Sequence, residues 1–295
     1  MNALDNFITL FRGRGDAYGS WEGGCVRQSV TRELFEEHLN GKTLFGVYPL
    51  VPFEGGFGCV WGCTDIDVDD LDAARNLQTA FAIKNIDAHV ERTRKGYHIW
   101  VFADSLVPAS TMRRAFLAAH QAIDYPAKEV NPKQETIGNG YGNYVRLPYP
   151  NGFNEMPENR FMLDDADTAV DINEWIPQAI KTRTNRSRLD AIAELYTPPT
   201  ILAVSLDEPT EDVMVLLKKV SVIPYIIWRD GPYQGADRST TLYKLTHRLA
   251  ESGLTPTEAF TVLKDADKRW GKFHMRSDGE SEMMKMIDRA FGAQR

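Results

Sequence analysis

Residues 60–103 read VWGCTDIDVDDLDAARNLQTAFAIKNIDAHVERTRKGYHIWVFA. An apolar run ends in Asp65 and Asp67, and the spacing of Leu71, Ala74, Leu77 and Phe81 predicts a helix that crosses back to the same sheet. HVERT then leads into a loop with Arg92, Arg94, Lys95 and Gly96, and YHIWVFA follows as a near-continuous apolar strand. In a strand the side chains alternate, so Asp65 and Asp67 project to one face. Two carboxylates side by side repel unless a cation lies between them, and hard oxygen donors suit Mg²⁺ or Mn²⁺. A pair of such ions can clamp both the attacking and the leaving oxygen of a phosphoryl transfer. The plain alternative is a solvated strand end with Asp69 or Asp70 capping the helix, and for His98 a half-buried strand histidine.

Three further blocks extend the pattern. HLNGKTLFGVYPLVP spans 38–52, KEVNPKQE spans 128–135 and GNGYGNYVRLPYP spans 138–150. Their order and approximate spacing resemble the archaeo-eukaryotic primase superfamily, in particular primase-polymerases of bacteriophages and plasmids. The resemblance covers about residues 38–150. It implies an α/β (α+β) catalytic core with a mixed sheet, one half RRM-like, followed by a small all-helical C-terminal domain. By position, it makes Asp65, Asp67 and Glu129 the catalytic acids and metal ligands, with two divalent ions (Mg²⁺ or Mn²⁺), and His98 a nucleotide-phosphate contact. One departure is Gly96, where the family often has serine, in a shortened loop.

Around these, Arg92 is the loop side chain expected on a triphosphate, because a guanidinium fork matches phosphate oxygens. Lys133 and Arg146 would extend positive charge over the nucleotide or the template backbone. The glycines of 138–142 would allow close backbone approach. In the first segment, RGRGDAYGSWEGG places Arg12 and Arg14 among Tyr18 and Trp21. Such interleaving suits a single strand whose bases stack on rings, and equally suits an exposed loop covering a core edge.

Hydrophobic residues at 43% and charged residues at 25% fit a globular protein with a large core. No apolar run approaches the about 20 residues a bilayer span requires, and MNALDNFITLFRGRGDAYG lacks the build of a signal peptide. No membrane association and a cytoplasmic location in a bacterial host cell are therefore expected. Cys59 and Cys63 have ligand-like spacing but no second pair, so they are expected to pack on the strand, with no structural zinc. A net charge of -7 excludes a chain-wide basic surface, leaving local arginines and lysines to meet nucleic acid.

The expected division is a catalytic domain over 1–185, a linker over 186–208 and a helical domain over 209–295. Thr31, Ser110 and Asp237 are expected helix starts, and Thr255, Pro256 and Glu258 predict a capping box. The methionines of GESEMMKMIDRAF are expected in a helix–helix core. Arg238, Ser239, His247 and Arg248 fall on a helix face that could meet template, with solvated surface the plainer reading.

These readings make the chain a template-dependent nucleotidyltransferase, a DNA primase-polymerase. Its partners would be single-stranded DNA template and nucleoside triphosphates; no P-loop is present, so a replicative helicase would be a separate partner or part of a longer parent chain. Two alternatives use the same residues. One is a metal-dependent nuclease or phosphohydrolase; the other is a non-catalytic replication-initiation module that binds single-stranded DNA.

Overall fold

The computed structural model describes residues 2–138, 140–152, 160–198, 211–232, 236–276 and 278–292. It divides into two compact units, Met1–Thr197 and Pro198–Arg295. The first contains α1 (Ala3–Phe11), β1 (Tyr18–Ser20), β2 (Cys25–Val26), α2 (Arg32–Leu39), β3 (Phe45–Val47), β4 (Val51–Phe53) and β5 (Gly56–Ile66). It continues through α3 (Leu71–Ala82), β6 (Ala88–Arg92), β7 (Tyr97–Pro108), α4 (Ala109–Ala122) and β8 (Glu129–Asn131). The remainder is β9 (Val145–Arg146), β10 (Phe161–Met162), α5 (Ile172–Lys181) and α6 (Arg186–Ala193).

The stretch 60–103 builds the centre of a six-stranded sheet in the order β10-β6-β7-β5-β4, with β8 also paired to β5. The segment β5-α3-β6-β7-α4-β8 is a split β-α-β arrangement of the RRM-like kind. The expected mixed sheet is antiparallel in every named pair. The α3 crossover leaves β6 running the same way as β5, but β7 inserts between them, so each hydrogen-bonded neighbour runs opposite. A second sheet has the order β2-β1-β3-β9.

Alternation along the strands sends side chains into two cores. On one face Ile66, Val90, Ile99 and Val101 pack with Leu77 and Phe81 of α3 and Met112 and Phe116 of α4. On the other, Trp61, Cys63, Trp100 and Phe102 meet Phe7, Leu10 and Phe11 of α1, Phe35 of α2, Phe45 and Val47 of β3 and Trp175 of α5. Phe11 stands edge-on to both Trp100 and Phe102, each with ring centroids 5.1 Å apart. Cys59 and Cys63 are buried free thiols, and burial pushes Cys59 up to about 12.

Two local expectations change. Ser110 does not cap α4, which starts at Ala109 behind Pro108, two residues earlier than that cap predicts, and has no side-chain cap bond. The expected linker 186–208 begins as α6, because Leu189, Ile192 and Ala193 recur at helical spacing and are buried in the first core. Its Asp190 accepts from the Thr111 hydroxyl at 2.9 Å. Residues 199–208 of that expectation lie outside the described residues.

The second unit carries α7 (Val213–Lys219), α8 (Val222–Asp230), α9 (Arg238–Glu251), α10 (Pro256–Trp270) and α11 (Gly279–Gly292) around its own core, which includes Leu245, Leu249, Leu263 and Met283. The Thr255–Glu258 capping box forms. Arg238 donates to the carbonyls of Trp270 and Gly271, each at 2.9 Å, and so closes the end of α10. Among the described residues no helix is long and apolar enough to cross a membrane.

Candidate active site

Strand register assembles the site. Glu91 lies opposite His98, His98 opposite Asp65 and Asp65 opposite Glu129. Opposed residues of an antiparallel pair share a face, so one transverse row of four ionisable side chains crosses β6, β7, β5 and β8. One pleat behind it runs His89, Trp100, Cys63 and Asn131. Trp100, Cys63 and Asn131 of that row are buried and give the ionisable row a poorly hydrated back wall.

Glu91 is fully buried. Three donors converge on its carboxylate: Trp100 Nε1 at 2.6 Å, Arg160 Nε at 2.6 Å and His98 Nδ1 at 3.0 Å. Burial opposes ionisation, but Arg160 and His98 outweigh it and hold the carboxyl below its ordinary value. Burial likewise opposes charge on His98; the Glu91 and Asp65 carboxylates beside the ring outweigh it, and the imidazole is held well above its ordinary value. His98 Nε2 faces Asp65 Oδ2 at 3.6 Å, too long for a hydrogen bond but close enough for charge attraction.

The row opens on a cleft of about 590 Å³. Asp65, Asp67 and Glu129 line it, together with the basic residues Arg94, Lys95, His98, Arg146 and Arg160 and the rings of Trp21, Tyr48 and Tyr144. Trp21 lies beneath Arg146 and Arg160, whose guanidinium carbons are 5.2 and 5.8 Å from its ring centre. Tyr144 donates to the Ser20 carbonyl at 3.0 Å and lies flat where side chains at Gly19 and Gly46 would otherwise stand. The glycine of GVYPL therefore makes room for the tyrosine of GNYVR.

Asp65 on β5 and Glu129 on β8 are opposed, while Asp67, expected on the same strand face as Asp65, lies just past the end of β5; in kind, these oxygen donors suit a hard divalent cation. Among the described residues no three His, Cys, Asp or Glu side chains are gathered closely enough to hold an ion. Glu129 Oε1 instead meets the Lys133 ammonium at 2.5 Å. A lysine thus supplies the positive charge that the carboxylate calls for.

A family model described as the archaeo-eukaryotic primase domain of the TOTE conflict system matches residues 22–187, more than half of the chain. The chain belongs to this primase family. It therefore carries a primase-type nucleotidyltransferase domain. No curated protein matches the sequence. A solved structure titled as that of the primase RepB′ aligns over 99% of both chains at 11% identity, with a TM-score of 0.32, too low to carry an argument.

Within this primase domain not every expected contact reaches the cleft. Arg92 follows Glu91 and so projects to the opposite face of the sheet, where Asp69 and the Tyr97 hydroxyl hold it. Its neighbours Arg94 and Lys95 line the cleft instead. Lys133 is committed to Glu129, and Arg146 donates to the Trp21 carbonyl at 2.5 Å. Gly142 takes a left-handed φ of 80° at the cleft wall; Asn139 lies outside the described residues. Glu91 and Arg160 were not expected. Alternation along β6, AHVER, puts Glu91 on the same face as His89, whereas nothing near Arg160 in the sequence marks it.

Proposed function

We propose that this chain is a DNA primase-polymerase that joins nucleotides on a single-stranded template, with nucleoside triphosphates as substrates. What supports the reading is the transverse row, in which Asp65 stands between His98 and Glu129 at the floor of a basic and aromatic cleft. Asp65, Asp67 and Glu129 would hold Mg²⁺ or Mn²⁺. Such ions, when bound, supply the charge that lowers the pKa of an attacking hydroxyl and neutralises the departing pyrophosphate.

The chain's own residues do the positioning. His98, Arg94 and Lys95 receive the phosphate tail, Arg146 meets the template backbone, and Trp21, Tyr48 and Tyr144 offer rings on which bases stack. No serine or cysteine nucleophile is called for, because the incoming hydroxyl attacks directly. We further read the setting as replication of a phage or mobile element in the bacterial cytoplasm.

The test is de novo synthesis on a single-stranded template with Mn²⁺ and either ribo- or deoxyribonucleotides, run beside Asp65→Ala/Asp67→Ala. Extended products from the natural chain, and loss of about a thousandfold or more in the variant with its melting curve retained, are expected. Shortened template strands point instead to a nuclease. Single-strand binding that survives the double substitution, with no synthesis by either protein, points to a non-catalytic module.

A further inference from the structure

Arg160 precedes β10 and is only 5% exposed, yet it lines the cleft. Its Nε is fixed by Glu91 and an Nη lies 2.8 Å from His98 Nδ1. The same Glu91 carboxylate takes His98 Nδ1 and Trp100 Nε1. One buried anion therefore orients two cleft-facing donors, and the tryptophan behind them locks the anion in turn. His98 Nε2 continues the chain of contacts to Asp65. A guanidinium carries five N–H donors, and the Nε–H bond to Glu91 that seats Arg160 uses only one of them.

An arginine held by its Nε on a buried carboxylate, side by side with an imidazole and one step from an acidic strand end, has the donor geometry that a phosphate oxygen takes. We propose that Arg160 is a binding residue for the phosphate tail of the nucleotide, and that Glu91 is the positioning residue that seats Arg160 beside His98. This rests on the primase reading given above. Glu91 touches no ligand in this arrangement. It acts only by fixing the direction of the two side chains that do.

The experiment is equilibrium binding of a fluorescent deoxyadenosine triphosphate to the full chain, with inorganic triphosphate as competitor and a single-stranded oligonucleotide as control ligand. Arg160→Lys keeps the charge and a bond to Glu91 but loses the fork. It is expected to weaken triphosphate binding by about ten- to a hundredfold and leave oligonucleotide binding unchanged. Glu91→Gln is expected to weaken triphosphate binding at least about tenfold although it is out of reach of the ligand. Glu91→Asp, which keeps charge but falls short of its partners, serves the same purpose where Gln does not fold. In the synthesis assay both variants should raise KM for the nucleotide more than they lower kcat.

Arg160→Lys that binds triphosphate as the natural chain does overturns the proposal, as does an equal loss of triphosphate and oligonucleotide binding in both variants. A natural chain that binds no triphosphate overturns it too. Triphosphate binding that depends on Arg160 and Glu91, in a chain that makes no product, leaves the seat standing and removes the primase reading.

Discussion

A Cβ at position 96 has nowhere to go: it would overlap the carbonyl oxygen of Ile66 and lie 2.5 Å from that of Val68. Gly96 thus lets the Arg94–Lys95 loop rest directly on the main chain that ends the acidic strand, which gives this chain's glycine at the position a physical reason. Gly96→Ala is expected to cost about 2–3 kcal/mol, since backbone rather than a flexible side chain must yield. Urea unfolding measures this, and a variant as stable as the natural chain would show that the loop is not pinned there. His38 carries a second residue-scale expectation. It is fully buried, its Nε2–H donates to the Pro148 carbonyl at 2.9 Å and its Nδ1 accepts from the Phe45 amide at 3.5 Å. Burial lowers it from 6.5 to about 4. The unfolded chain then takes up a proton below about pH 6.5 that the folded chain refuses until about pH 4. Stability therefore falls as pH drops through this window, by up to about 3 kcal/mol for this one residue, and levels off below it. His38→Gln, which keeps a donor for Pro148, should remove that share of the acid slope in urea titrations; an unchanged slope would count against a neutral His38.

Among the elements, β8 is the one on which the site hangs most lightly. It has three residues, pairs among the described residues only with β5, and is braced from behind by two side chains. Buried Thr64 shares its hydroxyl between His120 Nε2 at 2.8 Å and the Glu129 carbonyl at 3.0 Å. Arg113 donates to the carbonyls of Val130 and Pro132 at 2.9 and 3.1 Å. Thr64→Val keeps shape and deletes the hydroxyl, so a cost of about 1–3 kcal/mol is expected from the acceptors left unpaired. Synthesis should fall further than that stability loss alone explains, because Glu129 loses its hold on register. Equal activity per folded molecule would show that Thr64 does not position β8. This element also marks how far the sequence reads. The apolar runs and helical spacing of 60–103 announce β5, α3 and β7, and Thr31, Asp70 and Thr255 announce helix starts by their capping chemistry. The pairing of β8 with β5 is a long-range choice that no local pattern encodes, and it alone brings Glu129 opposite Asp65. Arg92 is a related case: its chemistry suits phosphate, but one step along β6 reverses the face and sends it to Asp69 and Tyr97. Arg160 was silent because only the folded chain brings it to Glu91.

At the scale of the whole chain, the formal charge of -7 and the basic cleft describe a protein whose affinity for nucleic acid is local. If Arg146 carries the template backbone contact, log affinity for a single strand should fall with log salt at a slope of about -0.7, the share of one phosphate contact. A slope several times steeper in a filter-binding series would place the template on a broader surface than this cleft. The two units supply the other expectation at this scale. The cores of Met1–Thr197 draw on residues of that unit alone, and the helices of Pro198–Arg295 close around Leu245, Leu249, Leu263 and Met283. A unit with its own buried core folds independently when cut in an exposed connection. The row Glu91–His98–Asp65–Glu129 lies wholly within the first unit. Residues 1–197 expressed alone should therefore give one cooperative thermal transition, matching one of two in the full chain, and should bind nucleoside triphosphate with the full chain's affinity. Synthesis begun from a primer should survive the cut as well. If the fragment unfolds at ambient temperature or loses its triphosphate affinity, the helical unit contributes directly to the fold or site of the first, and the nucleotide seat is not complete within residues 1–197.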